Sequence, residues 1–157
     1  NRRISLLAQT ARRHPEPGHS ERVCLKELES HGIQNSTYNL PDWDDSTEGL
    51  NQARDALFKA TPPTALILDE APLLIAAQLF LLNRGLRVPQ DVSLISTDND
   101  PDFSWCTPSS AHIHWDNRPV VRRVVNWASN ISRGKKDIRQ KLTPAEFIAG
   151  GTIGPAR

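Results

Sequence analysis

The chain has 157 residues, which is room for one ordinary domain. Its 38% hydrophobic and 24% charged residues are typical of globular proteins and exclude wholesale disorder. Nineteen basic residues against eighteen acidic ones leave a net charge of +1, which excludes the global basic field of a nucleic-acid binder. Two cysteines, Cys24 and Cys106, are too few for a disulfide scaffold and predict a reducing, cytoplasmic compartment.

The first third of the chain predicts a strand, a helix and a second strand. Ile4–Ala8 is an apolar run typical of a strand, and Ser20 is a suitable N-cap for a helix that ends at Gly32. This helix is expected to turn three side chains inward: Val23, Cys24 and Leu28. Thr37–Leu40 predicts a short second strand.

The middle of the chain predicts two helices on either side of a central strand. Asp45 and Glu48 form a variant of the capping box, which starts the first helix. Its apolar stripe has helical spacing and comprises Leu50, Ala53, Leu57 and Ala60. Thr64–Leu68 is apolar on both faces, as a central parallel strand should be. The second helix, Pro72–Arg84, is apolar on more than one side, which is typical of a sandwiched helix or a subunit interface.

The last part of the chain predicts two further strands, a helix and an irregular tail. The strands are Val92–Thr97 and Ala111–Trp115. Asn117–Arg133 is a helix with valines along one side, and the tail holds one or two short strands, at Leu142 and at Phe147–Ile148.

This alternation of short apolar runs with amphipathic helices predicts the fold class. It is typical of an α/β protein with an open, mostly parallel Rossmann-like sheet and helices on both faces. The longest apolar stretch, Ala71–Leu82, covers only twelve residues and is too short to span a bilayer. We therefore expect no membrane partner.

Acidic and aromatic residues follow four of the predicted strands. Because ligands of open parallel sheets bind beyond the carboxyl ends of the strands, we expect these residues to share one edge. They are Trp43 within an acidic run, Asp69, Glu70, Asp98 and Trp115. Carboxylates accept hydrogen bonds from sugar hydroxyls, and indole rings stack on the apolar face of a pyranose. For any one acid, a helix cap or a solvated loop position is the competing interpretation.

Two other kinds of site have weaker support in the sequence. Ala65–Ala71, a hydrophobic strand followed by Asp-Glu, is similar to a Walker B segment, but Gly134-Lys135 lies downstream and forms no phosphate-binding loop. His112 and His114 share one face of a strand, as metal ligands do, without a third ligand at a supporting spacing. We therefore expect no metal, no cofactor and no catalytic residues.

Two segments of the chain carry a resemblance to a known family. Pro63–Leu68 and, after a helix, the run Gly85–Ile95 with its sequence GLRVPQDVSLI closely resemble the effector-binding domain of lactose-repressor/galactose-repressor type transcriptional regulators. The resemblance extends over nearly the whole chain. It implies one lobe of a type I periplasmic-binding-protein-like fold, in which two similar lobes enclose a sugar or another small effector.

The resemblance also implies how the chain is divided. Residues 1–116 correspond to the second lobe, residues 117–136 to a crossover helix that packs in the first lobe, and residues 137–157 to a return segment that closes the second lobe. The DNA-binding domain and most of the first lobe are expected to lie outside this sequence. The valine face of the crossover helix is therefore expected to be covered by dimerisation, by segment exchange between chains, or by folding onto its own lobe.

The family's effector contacts map onto positions of this chain. Asp98 matches the sugar-binding aspartate, and Glu70 stands where the family usually has asparagine, preceded by Asp69. The family's arginine at the start of the first helix falls on Ser20, and Trp43 falls on an aromatic contact. Trp115 lies on the strand that crosses between the lobes.

The resemblance predicts a non-enzymatic domain that binds a sugar-like effector in a bacterial regulator. The expected partners are this effector, a second copy of the chain, and DNA through an N-terminal domain not present here. A transport-type solute-binding protein on the same fold is the alternative. A nucleotide hydrolase that uses the Walker-B-like strand is a second, more remote alternative.

Overall fold

The computed structural model describes residues 3–155 and shows, within them, one five-stranded sheet. The strands are β1 (Ile4–Leu7), β2 (Ala65–Leu68), β3 (Ser93–Ser96), β4 (Ala111–Trp115) and β5 (Ala145–Ile148). The helices are α1 (Thr10–Arg13), α2 (His19–Ser30), α3 (Thr47–Ala60), α4 (Ala71–Asn83) and α5 (Arg118–Ser132), with a short 3₁₀ helix at Pro101–Trp105. The ends of the predicted segments, residues 1–2 and 156–157, lie outside the described residues.

The strands lie side by side in the order in which they occur along the chain. β1 to β4 are parallel, and β5 is antiparallel to β4. The predicted α/β class with an open, mostly parallel sheet is therefore confirmed. No helix in the described part of the chain is both long enough and apolar enough to cross a membrane.

The main core lies between one face of the sheet and helices α3 and α4. Leu66, Leu68 and Leu94 are fully buried in the central strands and point to this face. α3 contributes part of its predicted stripe, and α4 adds Leu74 and Leu81. Strands buried on both faces need such apolar runs, which is why β2 and β3 were recognisable in the sequence.

The predicted strand at Thr37–Leu40 is wrong, because this segment forms a turn. The Ser36 amide donates to Asn39 Oδ1 (3.1 Å), a local bond that competes with strand formation. The segment nevertheless lies along the outer edge of β1. Leu6 N donates to Asn39 O (2.8 Å), and Asn39 Nδ2 donates to Ile4 O (2.9 Å).

Both predicted helix caps are also wrong. α2 begins at His19 after Gly18, so Ser20 lies inside its first turn. α3 is capped by Ser46, whose side chain accepts from Gly49 N, while Asp45 accepts from Thr10 N (2.8 Å) across the fold. Asp45 thus binds Thr10, a residue distant along the chain, instead of capping α3.

Two predicted apolar contacts and one predicted strand position also need correction. Val23, assigned to the inward face of α2, is 52% exposed, and Ala60 of the α3 stripe is exposed. Leu142 is exposed and lies in no strand, whereas Phe147–Ile148 belongs to β5 as predicted.

Helix α5 has no buried residue. Its exposed apolar face comprises Val120, Val121, Val124, Val125, Trp127 and Ile131. We expected this face to be covered in one of three ways, and the prediction that it folds onto its own lobe is therefore wrong.

The polar side of α5 is anchored, because buried Asp137 accepts hydrogen bonds from Arg123, Arg139 and Asn130. Chiefly through Arg139 and Asn130, these bonds hold the pKa of Asp137 far below its usual range.

The segment after β5 joins strands β3 and β4 through Thr152. Its buried hydroxyl accepts from Ala111 N (2.8 Å) and donates to Leu94 O (2.8 Å), and Leu94 N donates to Thr152 O. Close approach also requires Gly150, since a Cβ there would lie 2.3 Å from the carbonyl carbon of Ser110. This segment therefore fixes the end of the sheet.

Replacing Thr152 by valine should destabilise the fold, because the substitution keeps the shape and removes both hydrogen bonds of the hydroxyl. We expect Thr152→Val to lower the free energy of unfolding by about 1–3 kcal/mol in urea denaturation. Thr143→Val is the matched control, because Thr143 is partly exposed and lies outside the helices and strands. Equal stability of the two variants would contradict the bridging role of Thr152.

Candidate functional site

The carboxyl ends of β1 to β4 meet at one edge of the sheet, and three of the predicted acids lie there together. Gln9, just after β1, donates from its backbone to Asp69 Oδ2 (2.8 Å) and from its side chain to Glu70 Oε2 (2.9 Å). Asp98, after β3, accepts from Ala71 N (3.2 Å), next to Glu70. We call Gln9, Asp69, Glu70 and Asp98 the acidic rim.

Asp69 is the buried member of the acidic rim, with 2% exposure. Its Oδ2 lies 3.5 Å from Arg12 Nε, and its Oδ1 has no hydrogen-bond partner among the described residues. Burial raises the pKa of Asp69 above its usual value, and this effect exceeds the lowering by the Gln9 amide and by Arg12. Asp69 is thus the buried anchor of the acidic rim, whereas Glu70 and Asp98 are partly exposed.

Arg12 lies between two carboxylates, next to the cleft described below. Its guanidinium is 3.5 Å from Asp69 and 3.7 Å from Glu21, both of which have almost fully buried side chains, while Arg12 itself is half exposed. The sequence prediction includes neither Gln9 nor Arg12 among the site residues. Their position directly after the first strand was the available signal.

Asp98 also has structural roles. Its Oδ1 accepts from Asn99 N (2.8 Å), and its Oδ2 accepts from the backbone of Ala71 at the start of α4. Asn99 then donates from Nδ2 to Trp115 O (2.6 Å), which joins the ends of β3 and β4. Asp98 thus holds the start of α4, as the helix-cap interpretation predicts. Because a carboxylate has about four lone-pair sites, it can still accept further hydrogen bonds from a ligand.

A cleft of about 800 Å³ lies between α2 and the other face of the sheet. It brings together two predicted site residues, Ser20 from α2 and Trp115 from β4, with Arg12 at its mouth. Ile67 and Ile113 form an apolar floor. We call this space the α2 cleft. Its size is within the range of small-molecule pockets.

Trp43 lies elsewhere. Its side chain is 9% exposed and belongs to the main core, with the guanidinium of Arg13 over the ring at 5.5 Å. Its exposed edge lines a separate depression with Asp42 and Asp44. Hydrogen bonds from His14 and Arg13 hold the pKa of Asp42 below its usual value. The structure thus separates Trp43 from Ser20 and Trp115.

The alternative sites are less well supported by the geometry. Among residues 3–155, no three histidine, cysteine or acidic side chains are grouped so as to hold a metal ion. The Walker-B-like Asp69 and Glu70 are both engaged by Gln9.

Residues 1–153 match the periplasmic binding protein-like domain family. The chain belongs to this family. The sequence is also 25% identical over 123 residues to the lactose operon repressor of Escherichia coli (strain K12), covering 78% of this chain and 34% of the repressor.

Solved structures show the same fold at low sequence identity. A LacI family transcriptional regulator from Enterococcus faecium with bound ribose is 19% identical, with a TM-score of 0.78, over 99% of this chain and 58% of that one. The lac repressor dimer bound to operator and the anti-inducer ONPF is 24% identical, with a TM-score of 0.74, over 97% and 52%. The resemblance to a LacI-type effector-binding domain is confirmed. The chain spans about a third of its curated relative and just over half of these structures.

The raised pKa of Asp69 predicts a pH-dependent stability. The folded state binds a proton more tightly than the unfolded state, whose aspartate pKa is about 3.9. Stability from this group is therefore greatest below that value and falls as the pH rises through the folded pKa. We expect the unfolding free energy of the wild type, relative to Asp69→Asn, to increase when urea denaturation is repeated at decreasing pH. A difference that is constant or decreases would contradict the assignment.

Proposed function

We propose that this chain is the effector-binding lobe of a bacterial LacI-type transcriptional regulator, with no catalytic activity of its own. The observation that carries the proposal is the acidic rim at the carboxyl ends of β1 to β3, beside the α2 cleft. In open α/β sheets this edge is where ligands bind. Membership of the periplasmic binding protein-like family supports the same role.

The proposed effector is a sugar or a similar hydroxylated molecule. Glu70 and Asp98 supply carboxylate oxygens that accept hydrogen bonds from hydroxyl groups. Trp115 provides an indole surface, and Ser20 a hydroxyl, at the α2 cleft. The Enterococcus faecium relative with bound ribose supports this class. Trp43 contributes only through its exposed edge, from its separate depression.

The proposed division of the chain follows its connections. Residues 1–116 form the second lobe, 117–136 the crossover helix and 137–157 the return segment, through which Thr152 reaches β3. α5 with its unburied apolar face supports a helix that packs outside this lobe. An effector that binds one lobe orientation more tightly would shift the population towards it and reposition a DNA-binding domain. This activity belongs in the cytoplasm, where DNA is accessible, and requires no membrane.

The proposed homodimer uses the outer face of α4. Ile75, Leu79 and Leu82 are 47–70% exposed and lie on one side of this helix at spacings of four and three residues. Trp105, at 85% exposure, adds to the exposed apolar surface near the end of the 3₁₀ helix. The dimeric lac repressor structure supports assembly of this kind. Cover of the α5 face by dimerisation or segment exchange stays a prediction.

Effector binding should depend on Asp98. We expect isothermal titration calorimetry with ribose, galactose and lactose to show binding of at least one sugar to the protein as its gene encodes it. Asp98→Asn should weaken that binding at least about tenfold, because the variant loses the charge while its amide oxygen can still accept from Ala71 N. Lys141→Gln, which changes one charge on an exposed residue outside the rim, is the control.

Two outcomes would count against this proposal. Unchanged sugar affinity in a folded Asp98→Asn protein would remove Asp98 from the site. Sugar binding without any effect on DNA binding would favour the solute-binding alternative.

The α4 face makes a separate prediction. We expect Leu79→Glu to weaken self-association about thirtyfold or more, because it places a charge in the centre of an apolar contact. Light scattering after size-exclusion chromatography would show a monomer where the wild type is a dimer. Ile138→Glu is the control, because Ile138 is 76% exposed and lies outside α4. A Leu79→Glu dimer would contradict the α4 interface.

A further inference from the structure

Helix α5 and the loop after it are strongly basic, although the whole chain carries a net charge of only +1. Residues 118–141 hold eight of the nineteen basic residues and one of the eighteen acidic ones, so the rest of the chain is acidic. Three of the five lysines, Lys135, Lys136 and Lys141, lie close together in this segment. A charge distribution this uneven indicates an anionic partner.

Buried Asp137 holds the basic loop against the polar side of α5. Its carboxylate accepts from Arg123 (2.8 Å) and Asn130 (2.8 Å) on the helix. It also accepts from Arg139 (3.0 Å) on the loop, and Arg123 donates to Arg139 O (2.7 Å). Lys135 N donates to Asn130 O (2.9 Å). The loop and the polar side of the helix therefore form one continuous surface.

Five cations of this surface have no ion pair among the described residues, and all five are exposed. They are Arg122, Arg133, Lys135, Lys136 and Lys141. The one acid of the segment, Asp137, has a side chain that is only 3% exposed, and it is engaged by Arg123 and Arg139. Like charges without compensation repel one another, and an anionic partner would relieve this repulsion. We call the five residues the basic surface.

The phosphate backbone of DNA suits the basic surface. Arg122 and Arg133, which is the C-cap of α5, are eleven residues apart, or about 16 Å along the helix axis. This length corresponds to about five phosphates of one strand. Long exposed arginine and lysine side chains are the groups that bind phosphates.

An anionic membrane fits the arrangement less well. A bilayer would receive the exposed valine face of α5, which is the apolar side of the helix. The loop lysines would then lie on the far side of the helix, because Asp137 holds the loop against the polar side. DNA needs only the polar side, so the valine face stays available for cover by dimerisation or segment exchange.

We propose that the basic surface binds the phosphate backbone of DNA without reading its sequence. This contact goes beyond the proposed function, which assigns DNA binding to a domain outside this chain. Phosphate contacts position a protein on the duplex, whereas contacts to bases specify the sequence. The contact involves no residue of the acidic rim or of the α2 cleft.

The salt dependence of binding to DNA without an operator tests this contact. Each phosphate that a cation neutralises contributes about 0.9 to the slope of log K against log salt. The probe is a fluorescent duplex of random sequence and about 30 base pairs. Its binding to the protein as its gene encodes it is measured by anisotropy between about 50 and 200 mM KCl. We expect the double variant Lys135→Gln, Lys136→Gln to lower the slope by about two and the affinity about fivefold or more.

The double variant Lys26→Gln, Lys59→Gln is the matched control, because it removes the same charge from exposed lysines on α2 and α3. Equal slopes for the two variants, or no binding of the wild type to the duplex, would overturn the proposal. Phosphatidylserine vesicles and polyglutamate are the other probes. If the Lys135→Gln, Lys136→Gln variant lost binding to either and kept its affinity for DNA, the proposal would also be wrong. Sugar binding by calorimetry should be equal in both variants, so that failure of this contact is distinguishable from failure of the effector site.

Discussion

The hydrogen bonds of Gln9 to Asp69 and Glu70 are the constraint on which the candidate site depends. They join the end of β1 to the end of β2 and place a buried carboxylate behind a partly exposed one. Asp98 extends the same edge by holding the start of α4. Because these groups support the start of a helix and the ends of strands, the proposed binding chemistry and the local fold use the same side chains. These hydrogen bonds hold the rim in place before any ligand is present, which would lower the ordering cost of the proposed binding.

The sheet separates the molecule into two chemically different sides. α3 and α4 cover one face with a closed apolar core, whereas α2 leaves a cleft over Ile67 and Ile113 on the other. β4 contributes to both sides because its side chains alternate: Trp115 lines the α2 cleft, and His112 lines a cavity on the opposite face. This interior strand, which lies between β3 and β5, thus lines a space on each face of the sheet, and Asn99 joins its end to β3.

The two exposed apolar surfaces differ in how they are built. α4 has apolar residues on all its faces. It therefore buries Leu74 and Leu81 in the core while Leu79 on the outer face is exposed to solvent. α5 is strongly amphipathic, and its polar side is fixed by Asp137 while its valines face outward. Exposed apolar surfaces of this kind are typical of protein–protein interfaces, and the interface proposed for α4 rests on this property.

The sequence by itself determined the α/β class, the positions of β2 to β4 and the acids that follow them, because buried parallel strands require apolar runs that end where the ligand edge begins. It also determined the family, through Gly85–Ile95. Only the tertiary structure decided which of several polar partners each side chain contacts. Asp45 accepts a hydrogen bond from Thr10 instead of capping α3, and Trp43 packs in the core instead of at the predicted ligand site. Both contacts join residues that are distant along the chain, and local sequence propensity does not encode such contacts.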